Sequence, residues 1–412
     1  MAVLIVAYRS PGKLEKCIHA LREHLPDHEV HIWDNSGAGY GEVRERAGRV
    51  PDVHWHFSDD NLGFAAAVNK LAALVPDHDL LLLNPDAELI GPLTLTRSAI
   101  QDPGTAAAGP MVWESGIDEG VPLLSRRRAP WDVAHRRLTF LNALGGAAGL
   151  GDRLRGSWFS NLYRRQPREV EGYLTGACLA IRRDAWDSLG PFDEEFFLYG
   201  EESDWQSRAS RAGWKLRLAD EIGVRHLPHG TVAGDSAGMT RSGDLFRASM
   251  ALLLEYRYGV WVAELYLAGT SVIEVMRRRI RQRHTKVAQP DVVVTVDGPS
   301  SAVGERLSTA LALAHAGQAV TVVSLRRLGS LPRELPPSIR LIRRPWWWPS
   351  VSPQDLPPAL VVGTTSKEKR FARLYRAHRK TTRIDTGDGV GSHAGVNGRQ
   401  GDRSSSPEVG HT

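Results

Sequence analysis

Two acidic residues, Asp86 and Glu88, follow a run of four leucines at 80–83 and the pair Asn84-Pro85. The leucines predict a strand buried on both faces, and Pro85 ends it because proline has no N–H to donate to a sheet ladder. Both carboxylates are therefore expected at the carboxyl end of a core strand, where open α/β sheets bind ligands. A carboxylate there can hold a hard divalent cation against phosphate oxygens. The alternative is an ordinary turn, since Asn, Pro and Asp are common turn residues.

A second concentration of carboxylates lies in residues 192–205, where acids alternate with aromatic side chains. A helix is predicted to begin there, and Glu201, Glu202 and Asp204 fall in its first turn. The helix dipole favours negative charge at this end, so capping alone explains one of the three carboxylates. A solvated helix face does not explain the whole cluster, which therefore predicts a functional site.

A strand–helix–strand pattern opens the chain and ends in another acidic turn. Predicted strands at 2–7 and 30–33 flank a helix from 11 to 25, with Ser10 as its N-cap. Asp34 follows the second strand, and in dinucleotide-binding folds an acid at this point bonds a ribose hydroxyl. The glycine-rich fingerprint of those folds is missing from the sequence after the first strand, which disfavours NAD. A plain turn role for Asp34 stays open.

Small residues open the next predicted helix, after a strand at 53–57. The segment reads Asn61-Leu62-Gly63-Phe64-Ala65-Ala66-Ala67-Val68-Asn69, and the helix is expected to continue to about Leu74. Small residues at a helix start let a ligand or another backbone approach closely. Close packing of the helix on the sheet needs the same residues, so both interpretations stay open.

The composition indicates a globular protein with room for two or three domains, since the chain has 412 residues, 42% hydrophobic and 24% charged. Two cysteines, Cys17 and Cys178, exclude a disulfide framework and favour a reducing cytoplasm. We expect no signal peptide, and no apolar run in the sequence reaches the length of a membrane span. The net charge is only +5, but arginines cluster at 126–128, 277–279 and 343–344, a pattern that favours phosphates.

These motifs together resemble glycosyltransferase family 2, and within it the rhamnosyltransferase-like subgroup. The strand ends that carry the resemblance are Asp34-Asn35-Ser36, Asn61 to Asn69 and Leu83-Asn84-Pro85-Asp86. Later segments resemble the same family: Gly172 to Arg183, the acids from Glu201 to Asp204, and Val224 to Thr231. The resemblance implies an α/β fold, the GT-A nucleotide-diphospho-sugar transferase fold, followed by C-terminal helices.

The resemblance also implies roles for single residues. Asp86 corresponds to the metal-binding acid of the family's DXD-like motif, in which Asn84 takes the first place. His226, with His229 as the reserve, contacts either the Mg²⁺ or Mn²⁺ ion or the diphosphate. The family's catalytic base corresponds to Glu202, a glutamate where the family has an aspartate. The donor-binding residues implied are Tyr8, Asp34, Asn35, Asn61, Gly63, Phe64, Ala67, Asn69, Asn84, Arg183 and Arg208. The acceptor-binding residues implied are Thr175, Gly176, Ala177, Glu201 and Asp204. Arg208 either faces the donor diphosphate or pairs with Asp204.

The domain organisation follows from these patterns. We expect a catalytic domain at 1–240, with a nucleotide-binding half (1–112), a basic insertion (113–170) and an acceptor and catalytic half (171–240). Amphipathic basic helices follow at 241–288, then a small Rossmann-like α/β region at 289–382 that resembles the start of a GT-B glycosyltransferase, and a disordered tail at 383–412. The helices either lie on an anionic membrane surface or pack on the catalytic domain.

The function predicted is an inverting, metal-assisted transfer of a sugar, rhamnose by subgroup resemblance, from a nucleotide-diphosphate donor to a cell-envelope glycan or polyprenyl-linked acceptor. We expect this at the cytoplasmic face of the inner or plasma membrane, with peripheral membrane contact. The alternatives are a non-catalytic membrane-associated sugar-nucleotide binder and a sugar nucleotidyltransferase. The last needs a Gly-rich, Lys/Arg-containing loop after the first strand, which Tyr8 to Gly12 does not supply. Nucleic-acid binding has only the positive charge in its favour.

Overall fold

The computed structural model describes residues 1–47, 52–114, 132–226, 236–281, 291–348, 359–378 and 383–386. The first part contains the strands β1 (Ala2–Ala7), β2 (Val30–Asp34), β3 (His54–Phe57), β4 (Leu80–Leu83), β5 (Ala87–Leu89), β6 (Thr105–Glu114), β7 (Ala134–Arg136), β8 (Gly172–Leu174), β9 (Cys178–Ile181) and β10 (Lys215–His226). Its helices are α1 (Pro11–His24), α2 (Glu42–Ala47), α3 (Phe64–Leu74), α4 (Thr94–Gln101), α5 (Phe140–Ala147), α6 (Arg183–Leu189) and α7 (Glu201–Arg211).

Eight of these strands form one mixed sheet, in the order β3-β2-β1-β4-β9-β6-β10-β5. The first four strands are parallel, and β9 runs antiparallel to both β4 and β6. Every residue of β1 and β4 is buried, as their continuous apolar sequences predict. The carboxyl ends of the parallel strands therefore meet at one edge of the sheet, which carries the predicted acids. The α/β prediction is confirmed.

Gly63 allows the start of α3 to lie close to the acidic segment, residues 192–205. Gly63 has φ +83°, a left-handed conformation that favours glycine. A Cβ atom at this position would lie 2.6 Å from the carbonyl oxygen of Phe197. The next residue, Phe64, donates its N–H to that same carbonyl at 2.8 Å. Of the interpretations left open for these small residues, the close approach at Gly63 is to another backbone.

Helices α8 (Ser236–Tyr258) and α9 (Val260–Arg281) follow the mixed sheet and break at Gly259, whose φ is +89°. The second part then contains β11 (Val292–Val296), α10 (Ser300–His315), β12 (Val320–Ser324), α11 (Leu331–Glu334), β13 (Arg340–Arg343), β14 (Ala359–Val362), α12 (Ser366–His378) and β15 (Arg383–Thr386). Its five parallel strands are ordered β13-β12-β11-β14-β15. This order is the 3-2-1-4-5 arrangement of Rossmann-like sheets, as predicted.

Helix α8 serves both sheets. Leu245 and Ala248 pack into the core of the five-stranded sheet. On the same helix, Ser249 donates its hydroxyl to the carbonyl of Leu198, in the acidic segment, at 2.9 Å. The Glu255 carboxylate, 6% exposed, pairs with Arg327 and Arg343 of the second part. Helix α8 therefore packs on the rest of the protein, and packing was one of the two interpretations drawn from the sequence for this helical region.

One prediction about the fold is wrong. Residues 383–386 were expected in a disordered tail, but they form β15, which pairs with β14 through the register Ala359 to Arg383. The rest of that tail, the linker at 289–290 and His229 lie outside the described residues. In the part of the chain that is described, no helix combines the length and the apolarity needed to cross a membrane. The domain boundaries stay a prediction.

Candidate active site

Asp86 and His226 lie side by side at the carboxyl edge of the mixed sheet. Asp86 occupies the turn between β4 and β5, and the antiparallel pairing of β5 with β10 sets His226 opposite Ala87. His226 Nε2 lies 3.1 Å from Asp86 Oδ1, and both side chains are only 7% exposed. A buried carboxylate beside a buried imidazole offers one oxygen and one nitrogen donor, a set that suits Mn²⁺ and similar cations.

A second turn connects this pair with the start of α7. The Asn84 N–H donates to the carbonyl of Ala177 at 3.0 Å. The neighbouring Gly176 faces Glu202, since a Cβ atom at Gly176 would lie 3.9 Å from Glu202 Cγ. Among the described residues, the Thr175 hydroxyl has no hydrogen-bond partner although it is buried. The turn at 175–177 thus lies between the Asp86 turn and Glu202, and its predicted contact with the acceptor stays a prediction.

Glu201 and Glu202 form a buried pair of carboxyl groups at the start of α7. Burial raises the pKa of Glu201 well above its ordinary value, and the neighbouring Glu202 charge raises it further. Burial also raises the pKa of Glu202, but the backbone N–H groups of the first helical turn favour its charged form. We therefore assign the shared proton to Glu201 and the negative charge to Glu202. This division leaves Glu202 able to accept a proton.

Tyr199 was not predicted from the sequence. Its backbone has φ +69°, an uncommon conformation for a residue with a side chain, and its hydroxyl lies 2.6 Å from Ser242 Oγ of α8. Burial raises the pKa of Tyr199, and the charges of Glu201, Asp86 and Glu202 raise it further. The phenol therefore lies close enough to interact with the charge of Asp86 and with the charges of the Glu201 and Glu202 pair. The signal in the sequence was its position two residues before Glu201.

Asp34, at the end of β2, is a buried acid with spare hydrogen-bonding capacity. Its side chain is 1% exposed, and Oδ1 accepts the N–H of Ser36 at 3.0 Å. Oδ2 is buried and has no hydrogen-bond partner among the described residues. A buried charged oxygen without a partner is costly, so it marks a place for a hydrogen-bond donor from a ligand. A ribose hydroxyl is such a donor.

The comparisons with known proteins agree with this chemistry, although no family model matches the sequence. Over 315 residues the chain is 24% identical to a protein named N-acetylglucosaminyl-diphospho-decaprenol L-rhamnosyltransferase from Mycobacterium tuberculosis. The alignment covers 70% of this chain and 98% of that relative. The chain is a glycosyltransferase that resembles the rhamnosyltransferase-like enzymes of family 2. Its mixed α/β sheet is the GT-A-like fold that the sequence resemblance implied.

Solved structures similar to this glycosyltransferase are distant ones. The mannosyltransferase PcManGT from Pyrobaculum calidifontis, in complex with GDP-Man and Mn²⁺, is 13% identical with a TM-score of 0.39, covering 76% of this chain and 80% of that one. S. aureus TarS 1–349, in complex with UDP-GlcNAc, is 10% identical with a TM-score of 0.37, covering 69% and 76%.

Three asparagines predicted to contact the donor have hydrogen-bonding partners within the glycosyltransferase. Asn35 donates to the Gly63 carbonyl at 3.0 Å and accepts the N–H of residue 62. Asn61 accepts the Gly63 N–H, and Asn69 exchanges two hydrogen bonds with the backbone of Phe192. These side chains hold the loops that frame the site. Their direct contact with a donor stays a prediction.

Two predicted donor contacts are contradicted by their positions. Ala67 lies on the face of α3 that packs into the core, where it is fully buried, so no ligand can reach it. Arg183 lies at the opposite edge of the sheet, because β9 runs antiparallel to β4 and returns the chain to the amino end of β4. Its guanidinium donates to the backbone carbonyls of Ala72, Val75 and His78. Both predictions are wrong.

Arg208 takes the second of its two predicted roles. Its Nε lies 3.0 Å from Asp204 Oδ2, and its other nitrogens donate to the carbonyls of Leu189 and Pro191. Asp204 and Arg208 line an open cavity of about 620 Å³ together with Asn69. They therefore lie on the side of α7 that faces the end of α6.

A cavity of about 600 Å³ lies between α5, α8 and α9, and Tyr173 of β8 lines it. Burial raises the pKa of Tyr173, and the Glu202 charge raises it further, so this phenol is near enough to Glu202 to interact with its charge. Apolar side chains line most of the cavity, and Arg247 and Arg277 are its basic residues. No sequence motif predicted this cavity, because its walls combine α5 with the pair α8 and α9, which lies much later in the chain.

Proposed function

We propose that this glycosyltransferase is an inverting enzyme that transfers L-rhamnose from a nucleotide-diphosphate donor to a hydroxyl of a lipid-linked N-acetylglucosamine acceptor. One observation carries the proposal. Glu202 lies beside Glu201 at the start of α7, the directions of their pKa shifts favour the proton on Glu201, and the turn at 175–177 separates Glu202 from the Asp86 and His226 pair. Base and cation-binding groups are thus distinct, on two sides of one small turn.

Glu202 acts as the general base in this proposal. It takes the proton of the acceptor hydroxyl while that oxygen attacks the anomeric carbon from the face opposite the diphosphate. The bond between the anomeric carbon and the phosphate oxygen breaks, and the nucleotide diphosphate leaves with the electron pair. A single displacement inverts the anomeric configuration. Glu201, already protonated, keeps the negative charge on Glu202 without competing for the acceptor proton.

Asp86 and His226 would hold the divalent cation, and the residues fit this role. Their donor atoms are 3.1 Å apart, and both side chains are buried where the strand ends meet. When bound, Mg²⁺ or Mn²⁺ neutralises the charge that develops on the diphosphate. Asp34 would bind the donor ribose through the oxygen that has no partner among the described residues.

The acceptor side of the proposal rests on the cavity next to Tyr173. The mycobacterial relative is named for a decaprenol-linked N-acetylglucosamine acceptor, and such an acceptor has an apolar chain and a diphosphate. The cavity combines an apolar lining with Arg277 and with Arg247, which lies 3.1 Å from Glu274 in the same lining. Exposed apolar side chains lie on α5, on the loop after it and on α9: Leu141, Leu150, Trp158, Phe159 and Met276. We propose that this face touches the cytoplasmic surface of the membrane that holds the acceptor.

The test is a transfer assay with the purified chain. A panel of dTDP-, UDP- and GDP-sugars is offered with polyprenyl-diphospho-N-acetylglucosamine, in Mn²⁺, in Mg²⁺ and in EDTA. We expect dTDP-L-rhamnose to yield a metal-dependent lipid product whose anomeric configuration, read by NMR, is opposite to that of the donor. Donor binding with neither transfer nor hydrolysis would instead identify a non-catalytic sugar-nucleotide binder. Retention of configuration would exclude Glu202 as the base of a single displacement.

A further inference from the structure

Three side chains with metal-ligand chemistry meet at the other end of the nucleotide-binding strands. Glu29 comes directly before β2, His31 lies within β2, and the parallel register sets His54 of β3 opposite His31. One potential ligand atom from each lies within 4.8 Å of the other two. Asp34 ends the same strand three residues beyond His31, about 10 Å away along the chain. The cluster is therefore separate from the donor site.

The distances within this cluster suit a single ion. Glu29 Oε1 lies 2.7 Å from His31 Nε2 and 3.7 Å from His54 Nε2. Ligand atoms about 2.0–2.1 Å from a tetrahedral zinc ion lie about 3.4 Å from one another. The two observed distances fall on either side of that value. The His54 side chain is 59% exposed, so it can shift by a fraction of an ångström while the buried His31 stays fixed.

A fourth side chain orients the buried ligand. His31 Nδ1 lies 3.2 Å from His56 Nε2, and the two rings stack with their planes 5° apart. A hydrogen bond at Nδ1 fixes the ring orientation and leaves Nε2 facing Glu29.

We propose that Glu29, His31 and His54 bind one transition-metal dication of the Zn²⁺ class, with water as the fourth ligand and His56 as the positioning residue. Two imidazoles and one carboxylate favour zinc over magnesium, which prefers oxygen ligands in octahedral geometry. The ion would fasten β3, the edge strand of the mixed sheet, to β2. It would stabilise the folded protein in proportion to its occupancy. This proposal is independent of the proposed function.

The experiment titrates the full chain with Zn²⁺ and, separately, Mg²⁺ by isothermal titration calorimetry. The titrations use an Asp86→Asn background, so that metal binding by the Asp86 and His226 pair does not contribute to the signal. We expect one equivalent of Zn²⁺ to bind and Mg²⁺ not to compete. His54→Ala should lower the Zn²⁺ affinity by more than about 100-fold, and His56→Ala by about 10–100-fold, the usual effect of an outer hydrogen-bond partner.

Two controls keep the result interpretable. His54 is exposed, so its alanine variant should keep the circular-dichroism spectrum of the parent. His315→Ala, on exposed α10 surface, is the matched variant and should bind Zn²⁺ as the parent does. Zinc should also raise the unfolding temperature of the parent and not that of His54→Ala. Equal Zn²⁺ affinity in the parent and in His54→Ala, or no binding to the parent, would overturn the proposal.

Discussion

Replacing Glu202 by glutamine should abolish catalysis and stabilise the protein at the same time. The amide keeps the size of the side chain and its contact with Gly176, but it cannot take a proton. A general base contributes about 10²–10⁴-fold to the rate, so kcat should fall by that factor, or about 2.7–5.5 kcal/mol in activation free energy. Donor affinity should hold, because Glu202 faces the acceptor hydroxyl and not the nucleotide.

The stability effect follows from the direction of the pKa shifts. Burial raises the pKa of Glu201 and of Glu202, so near neutral pH the folded chain holds a proton that the unfolded chain releases. Such groups stabilise the fold below their ordinary pKa of 4.5, and the stability is lost as pH rises through the folded pKa values. Glu202→Gln removes one buried charge, so its free energy of unfolding should exceed that of the parent at pH 8, with a smaller difference at pH 4.

The assays are transfer at saturating donor, donor affinity by calorimetry, and urea unfolding at both pH values. Glu88→Gln is the matched control. Glu88 lies in β5, next to the turn that contains Asp86, and its carboxylate is 3.8 Å from Arg225. It should leave kcat within twofold. Transfer by Glu202→Gln within tenfold of the parent would refute the assignment of the base. Lower stability of Glu202→Gln at pH 8 would refute the electrostatic reasoning.

Three further predictions concern the metal, the nucleotide and the contact between the two sheets. Asp86→Asn should remove the gain in donor affinity that Mn²⁺ gives, measured by calorimetry with and without EDTA; unchanged affinity in Mn²⁺ would contradict the metal assignment. Asp34→Asn should weaken nucleotide binding by about 10-fold or more, the value of a hydrogen bond to a charged group, with little change in unfolding temperature. Glu255→Ala should lower the free energy of unfolding, measured in urea, by about 3–5 kcal/mol, because it removes the carboxylate that pairs with the buried Arg343. A loss below about 1 kcal/mol would show that water replaces the pair.

Strands and helices could be predicted from the sequence where one face or both faces are apolar. The four leucines of β4 and the buried positions of α1, which recur every three or four residues, follow directly from burial, which acts on each segment by itself. The acids at strand ends could be predicted as well, because parallel strands bring their carboxyl ends to one edge. Asp86 lies at such an edge, 3.1 Å from His226, while the roles that the family resemblance gives to Asp86, His226 and Glu202 stay predictions.

The errors arose where a residue's role depends on which strand lies beside it. Arg183 follows β9, and the sequence does not show that β9 is antiparallel. Because of that direction, Arg183 lies at the edge of the sheet opposite the one that carries Asp86. Ala67 and Gly63 look alike in sequence, but one faces the core and the other faces Phe197. Tyr199 could not be assigned because its phenol is positioned by Ser242, on a helix more than forty residues away.

The shared helix α8 limits how this protein can be divided. Its Leu245 and Ala248 complete the core of the five-stranded sheet, while Ser242 holds the Tyr199 phenol near the base. Arg241, in the same first turns, is 8% exposed and donates to four backbone carbonyls of the second part. Ending the chain in the connection after α9 would therefore uncover apolar side chains and leave the Arg241 guanidinium without its four acceptors. We therefore expect the two sheets to unfold together, because the Rossmann-like part holds α8, and α8 holds the loop that carries Tyr199.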